Sequence, residues 1–159
     1  MTVFARFILS PLFRLFFAPI IVGRRNLPKR GGVVLASNHL AFLDSPIITL
    51  VARRPVRFMV KEEFVSHRGL GGWITKMFFR SIGAVPVRRG AGHAAQEALD
   101  QGLEVLRDGD AFSIYPEGTR SLDGRLYKGR TGVAWLALSA GVPIVPVAVR
   151  GTDELQPDG

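Results

Sequence analysis

The sequence predicts an α/β fold: a mixed, mostly parallel sheet flanked by helices, with amphipathic helices at the N-terminus. Three observations carry this. From residue 33 onward, short apolar runs of strand length alternate with segments of helical period, the order that covers a parallel sheet with helices. The runs "VVLAS" and "IVPVAV" are continuous rather than alternating, as in strands buried on both faces. Ahead of them, five of the eleven phenylalanines (Phe4, Phe7, Phe13, Phe16, Phe17) fall within the first seventeen residues.

The N-terminal run "MTVFARFILSPLFRLFFAPIIV" has the length of a membrane span. Arg6 and Arg14 lie inside it, however, and a central arginine costs roughly 2.5–3.5 kcal/mol on insertion scales. Pro11 interrupts it, and no A-x-A-like cleavage site follows. Ser10–Pro11 reads as the cap and first turn of a short helix that stops before Pro19. Arg6, Ser10 and Arg14, at i, i+4 and i+8, form a polar stripe on an otherwise apolar helix. The expectation is a helix lying in a membrane interface with its arginines towards lipid phosphates. A core-packing hairpin is the alternative. Residues 1–22 are thus a membrane-interface segment and residues 23–159 the α/β domain.

After the basic stretch "GRRNLPKRGG", the strand 33–37 leads to a helix opened by Ser45–Pro46. A strand over 56–60 follows, then "GLGGWITKMFFRSIG", with an apolar face through Trp73, Ile74, Met77 and Phe78 and glycines that weaken the helix. "AVPV" (84–87) is a strand, which Pro86 places at an edge or bulge. Ala95, Leu99, Leu103 and Leu106 mark one face of the next helix, which Gly109 ends. A strand over 111–115, a helix "GVAWLALSAG" closed by Gly141, and a strand over 144–149 complete the pattern.

Composition narrows the function. The chain has 159 residues and 47% hydrophobic content, enough for one domain with a sizeable core. There are 21 basic and 13 acidic residues, net +8, and the first 43 residues hold six cations and no acid. A basic, oily surface attracts polyanions such as anionic lipid or phosphorylated substrates. Nucleic acid is disfavoured, because the N-terminal basic residues interleave with Phe and Leu rather than with a base-stacking platform. The absence of cysteine excludes disulfides, zinc–thiolate sites and a cysteine nucleophile.

Polar clusters stand where strands end, and in open α/β sheets ligands gather at the carboxyl ends of strands. His39 follows the first strand, Arg88–Arg89 follows "AVPV", and "PEGTR" follows 111–115. On one straight helix His39 and Asp44 would point about 140° apart. They meet if His39 lies in the loop and Asp44 caps the helix that Pro46 opens. Asp44 would then fix the imidazole tautomer and leave the other nitrogen as a base. A loop histidine beside an N-cap aspartate is the bland alternative, and a metal site involving His67 or His93 a remote one. In "IYPEGTRS", Pro116 and Gly118 frame a tight turn from which Glu117 and Arg120 project. The arginine suits phosphate and the carboxylate suits a substrate hydroxyl, unless the two merely pair on the surface. Arg88 and Arg89 are a second phosphate-ready point, or a solvated basic turn. No G-x-S-x-G elbow, P-loop or dinucleotide glycine pattern is present, which favours direct transfer to an acceptor hydroxyl.

"NHLAFLD", "GAVPVRR", "YPEGTRS" and "VPIVPV" occur in this order. Together they resemble the four blocks of the glycerolipid acyltransferase family, which includes 1-acylglycerol-3-phosphate acyltransferases, from about residue 20 to about 150. The resemblance implies acyl transfer from acyl-CoA or acyl carrier protein to a lysophospholipid acceptor, with phosphatidic acid the product in phospholipid biosynthesis. It makes His39 the general base and Asp44 its orienting carboxylate. Arg89, Glu117, Gly118, Thr119 and Arg120 would bind the acceptor, with Arg88 and Lys128 at the edge of the same anionic pocket. Pro143 and Pro146 would shape the acyl side. No metal and no cofactor beyond the acyl donor are implied. The expected setting is an anionic membrane surface at the cytoplasmic face of the cell membrane. Leu40 and Ala41 stand where many members carry polar residues. Family members continue with further strand and helix past "GTDELQPDG", so a shortened chain is expected, and a non-catalytic lipid-binding module on the same scaffold is the alternative reading.

Overall fold

In the computed structural model, which describes residues 5–52, 54–66, 69–87 and 93–155, five parallel strands form one sheet. The strands are β1 (Val33–Ser37), β2 (Val56–Lys61), β3 (Ala84–Val87), β4 (Ala111–Ile114) and β5 (Ile144–Val147), in the order β3-β2-β4-β1-β5. Every pairing is parallel. Val33 and Val56 both register with Ala111, and Leu35 registers with Val145. The fourth and fifth strands are shorter than expected, because Tyr115 and Ala148 leave the ladder to start loops. Pro86 lies in β3, an edge strand, where the missing N–H costs no ladder bond.

Helices cover both faces. On one lie α1 (Ser10–Phe17), α2 (Asp44–Val51) and α3 (Gly69–Ser81); on the other α4 (His93–Arg107) and α5 (Gly132–Ala140). Side-chain alternation along the strands decides which residue faces which layer. Phe58 and Val60 pack with Leu50, Phe79 and Ile82, to which Leu9 and Phe13 add from the N-terminal helix. On the opposite face Val34 and Phe112 pack with Leu103, Leu106 and Leu136. Phe58 and Phe112 are fully buried, each contributing about 1.5–3 kcal/mol of apolar burial. Leu99, Leu103 and Leu106 present the expected face of α4; the Ala95 side chain lies outside the described ones. Gly102 sits mid-helix because a Cβ there would come 2.7 Å from the Phe112 ring.

Two surface features differ from expectation. Trp73, Ile74 and Met77 are more than half exposed, whereas Gly72, Phe79 and Ser81 form the buried side of α3. The polar stripe of α1 faces inward. Ser10 Oγ donates to the Leu50 carbonyl (2.6 Å) and the Arg14 guanidinium to that of Val51 (3.4 Å). The last carbonyls of α2 have no partner within their own helix, so polar groups from α1 supply it. Ser10 therefore does not cap its own helix, and Arg14 does not reach outward; the Arg6 side chain lies outside the described ones. The solvent face of α1 is apolar, with Leu15 76% and Phe16 75% exposed. No helix among the described residues is long and apolar enough to cross a membrane.

Candidate active site

At the carboxyl edge of the sheet, the loop after β1 places His39 beside the first residue of α2. His39 Nδ1 lies 2.8 Å from Asp44 Oδ2. The same oxygen accepts the amides of Leu40 (2.7 Å) and Ala41 (3.0 Å), and Oδ1 accepts the Thr152 hydroxyl at 2.5 Å. Asp44 has no exposed surface. Burial by itself would raise its carboxyl, but hydrogen bonds from His39, Thr152, Ala41 and Leu40 outweigh it and hold the carboxyl below its ordinary value. An ionised carboxylate only accepts, so the proton between the pair sits on Nδ1. Nε2 is then the imidazole's basic nitrogen, on a side chain 15% exposed. Asp44 opens α2 as expected, yet its oxygens tie down the preceding loop rather than capping the helix.

Tyr115 fixes the ring plane. It stacks on His39 with centroids 3.8 Å apart and planes 9° from parallel, and its hydroxyl shares a 2.6 Å hydrogen bond with that of Ser45. Burial pushes the Tyr115 phenol well above its ordinary 10.0; the Ser45 hydrogen bond opposes it, and the Asp44 charge adds a lesser upward push. A raised phenol favours the protonated folded form, so its stabilisation is full below pH 10 and is lost as pH rises beyond. The thermal midpoint should therefore fall more steeply above pH 10 in the parent chain than in Tyr115→Phe; equal slopes would remove this role. The lowered Asp44 carboxyl works at the other end, with its stabilisation present above its ordinary 3.8 and lost as pH falls below.

Three strand exits meet here. The Ser121 amide donates to the His39 carbonyl at 2.8 Å, joining the loop after β4 to the loop after β1. The Asn38 side chain pairs with both backbone groups of Val149, at 2.9 and 2.8 Å, bringing in the segment after β5. That segment carries Thr152, the first residue of the short helix α6 (Thr152–Leu155). The expected third exit, with Arg88 and Arg89, lies outside the described residues, as does His67.

Glu117 requires a correction. It is 6% exposed and its carboxylate accepts the Tyr127 amide at 2.8 Å, so it does not project from the turn. A buried carboxylate needs donors, and the loop returning through Tyr127 provides one. Gly118, at φ +72, makes the turn possible; a Cβ there would meet the Arg130 side chain at 3.1 Å. Thr119 and Lys128 are exposed, and Arg120 is half-buried. Pro143 and Pro146 stand exposed at β5. No cluster of three or more metal-type ligands occurs among the described residues.

The chain matches a known group of proteins over most of its length. The sequence profile of the acyltransferase family matches residues 19–150. The chain belongs to the acyltransferase family. Among solved structures it resembles the 1-acyl-sn-glycerophosphate (LPA) acyltransferase PlsC from Thermotoga maritima, with a TM-score of 0.69, 31% identity, and 88% of this chain and 53% of that one covered. It is 33% identical over 150 residues to a chloroplastic 1-acyl-sn-glycerol-3-phosphate acyltransferase of Brassica napus, covering 91% of this chain and 40% of that one. To the 1-acyl-sn-glycerol-3-phosphate acyltransferase of Borreliella burgdorferi it is 28% identical over 134 residues, 84% and 52% being covered. This acyltransferase-family chain thus spans about half or less of these relatives' length.

Sequence reasoning missed Tyr115, Ser45, Ser121 and Thr152. Tyr115 reads as the last residue of a strand, with no role of its own, and Thr152 lies beyond the last block, so no pattern marked it. Its contact with Asp44 spans 108 positions. Thr152→Val keeps the shape and removes the donor, leaving Asp44 Oδ1 buried without it. The expected loss of stability is about 1–3 kcal/mol, read by thermal or denaturant unfolding; an unchanged midpoint would contradict this contact.

Proposed function

We propose that this chain transfers an acyl group from an acyl thioester to the free hydroxyl of 1-acylglycerol-3-phosphate, giving phosphatidic acid. The observation that carries the reading is the His39–Asp44 pair, ionised at the carboxylate and fixed in tautomer, in a member of the acyltransferase family. The relatives named above support the choice of acceptor.

Nε2 of His39 takes the proton from the acceptor hydroxyl as the oxygen attacks the thioester carbonyl carbon. The tetrahedral intermediate collapses, the carbon–sulfur bond breaks, and the imidazolium returns the proton to the leaving thiolate. Asp44 holds the ring in the required tautomer and balances the transient charge. Arg89 and Arg120, with Arg88 and Lys128 at the rim, hold the acceptor phosphate. Gly118 and Thr119 border it, while Glu117 acts by holding the loop. Pro143 and Pro146 shape the acyl side. The donor is acyl-CoA or acyl carrier protein, and no metal or further cofactor takes part. Residues 1–22 rest on an anionic membrane surface at the cytoplasmic face of the cell membrane, and the outward Leu15 and Phe16 support that contact.

The test is product analysis by mass spectrometry on vesicles with palmitoyl-CoA and a panel of 1-acylglycerol-3-phosphate, glycerol 3-phosphate and lysophosphatidylcholine. Phosphatidic acid formed at least tenfold faster than the other products is expected. Preference for another acceptor would overturn the substrate; binding to vesicles with no product would turn the reading to a lipid-binding module.

A further inference from the structure

A second basic site lies at the other end of α2. A cleft of about 980 Å³ opens between the N-terminal helix and the segment entering β1, and Arg14, Arg24, Arg25, Lys29 and Arg54 line it. Ala52, directly after α2, forms part of its floor. The eight residues of α2 place it roughly 12 Å from the His39–Asp44 pair.

The charges in this cleft are not balanced from within. None of its lining residues is acidic. Arg14 and Arg24 donate to the Val51 carbonyl, and the end of α2 contributes only about half a negative charge. Arg54 is 7% exposed, and among the described residues its guanidinium reaches neutral oxygens, the carbonyls of Pro28 (2.9 Å) and Gly109 (2.7 Å). Its Nε, like that of Arg14, is buried with no hydrogen-bond partner among the described residues. A buried cation without a counter-charge is costly, and the cluster of Arg54, Arg14, Arg25 and Lys29 around this cleft suits a phosphate group. Phe7, Pro11 and Leu27 add apolar wall beside them, and the exposed Leu15 and Phe16 continue that surface along α1. A water-soluble phosphate would leave this wall unused; an acyl chain would cover it.

We propose that this cleft is a binding site for the phosphate headgroup of an anionic lipid, separate from the site at His39. The proposal stands on the cleft alone and holds whether or not the chain catalyses acyl transfer. Arg25 and Lys29 are exposed and have no part in the His39 site, so Arg25→Gln/Lys29→Gln removes charge from the cleft and leaves that site intact.

Calorimetric titration of the full chain with dihexanoyl phosphatidylglycerol, an anionic lipid that is not the product proposed at His39, below its micelle concentration, tests it. Binding should weaken at least tenfold in Arg25→Gln/Lys29→Gln. It should change less than twofold in Lys76→Gln/Arg80→Gln, which removes the same charge from α3. Equal weakening in both would show diffuse electrostatic attraction and overturn the site, as would unchanged binding in the first. Glycerophosphoglycerol, with the same phosphodiester and no chains, should bind at least tenfold more weakly; binding as tight as the lipid would overturn the lipid assignment in favour of a soluble phosphate ester. A thermal midpoint of Arg25→Gln/Lys29→Gln matching the parent confirms that a loss is local.

Discussion

Replacing His39 by alanine should lower the rate of thioester-dependent acyl transfer by about 10²–10⁴, the range that general base catalysis supplies. The side chain gives up one hydrogen bond to Asp44 and a stack on Tyr115. The carboxylate keeps its three other donors, Leu40, Ala41 and Thr152, so the loop stays tied. Stability should therefore fall by about 1.5–3 kcal/mol, the value of one hydrogen bond to a charged group. The split is the informative part: a large loss of kcat in a chain whose circular dichroism still shows the parent fold. Near-normal turnover in this variant would end the assignment of His39 as base. Loss of fold and activity together would show instead that the ring is a structural member of the loop.

Asp44→Asn should cost both activity and stability. Asp44 is fully buried and accepts from four donors. Nδ1 and the Leu40 and Ala41 amides all point at Oδ2, so the amide oxygen takes that place and the NH₂ faces the Thr152 hydroxyl, which reverses to accept it. Hydrogen bonds to a charged group are worth about 1.5–3 kcal/mol each, and all lose the charge, so a loss of several kcal/mol in unfolding free energy is expected. The imidazole keeps its tautomer but loses the negative charge that balances the imidazolium formed during proton transfer. A drop in kcat of up to about 10⁴ follows, the scale seen when a triad aspartate is replaced in this way. Denaturant unfolding and kcat measured on the same preparation check both halves. Unchanged stability would contradict the four-donor geometry, and unchanged kcat would contradict the charge-balancing role.

Most of the fold was legible because its signals are local. Continuous apolar runs mark β1 and β5, and helical spacing marks α4 through Leu99, Leu103 and Leu106. Pro86 marked an edge strand correctly, since proline removes a donor wherever it stands. The His39–Asp44 pair was legible for the same reason: five positions separate the two residues, and a loop followed by a helix start lets them meet. What failed was long-range. Ser10 and Arg14 looked like a polar stripe for lipid phosphate because nothing in their own segment shows that α2 ends against them with unsatisfied carbonyls. The apolar face through Trp73, Ile74, Met77 and Phe78 is legible as spacing, but not which way it turns: α3 buries Phe79 and leaves Trp73, Ile74 and Met77 outside. Glu117 looked like a projecting carboxylate because its partner, the Tyr127 amide, is a backbone group that any sequence would offer. Thr152 gave no local signal at all.

The central claim is that His39 delivers an acceptor hydroxyl directly to a thioester. Thiol release from palmitoyl-CoA by the unaltered chain on vesicles, measured with and without 1-acylglycerol-3-phosphate, tests it most directly. The account predicts release that rises with acceptor concentration and falls to background without it. Release at the same rate in the absence of acceptor would contradict it, because water or the protein itself would then be taking the acyl group.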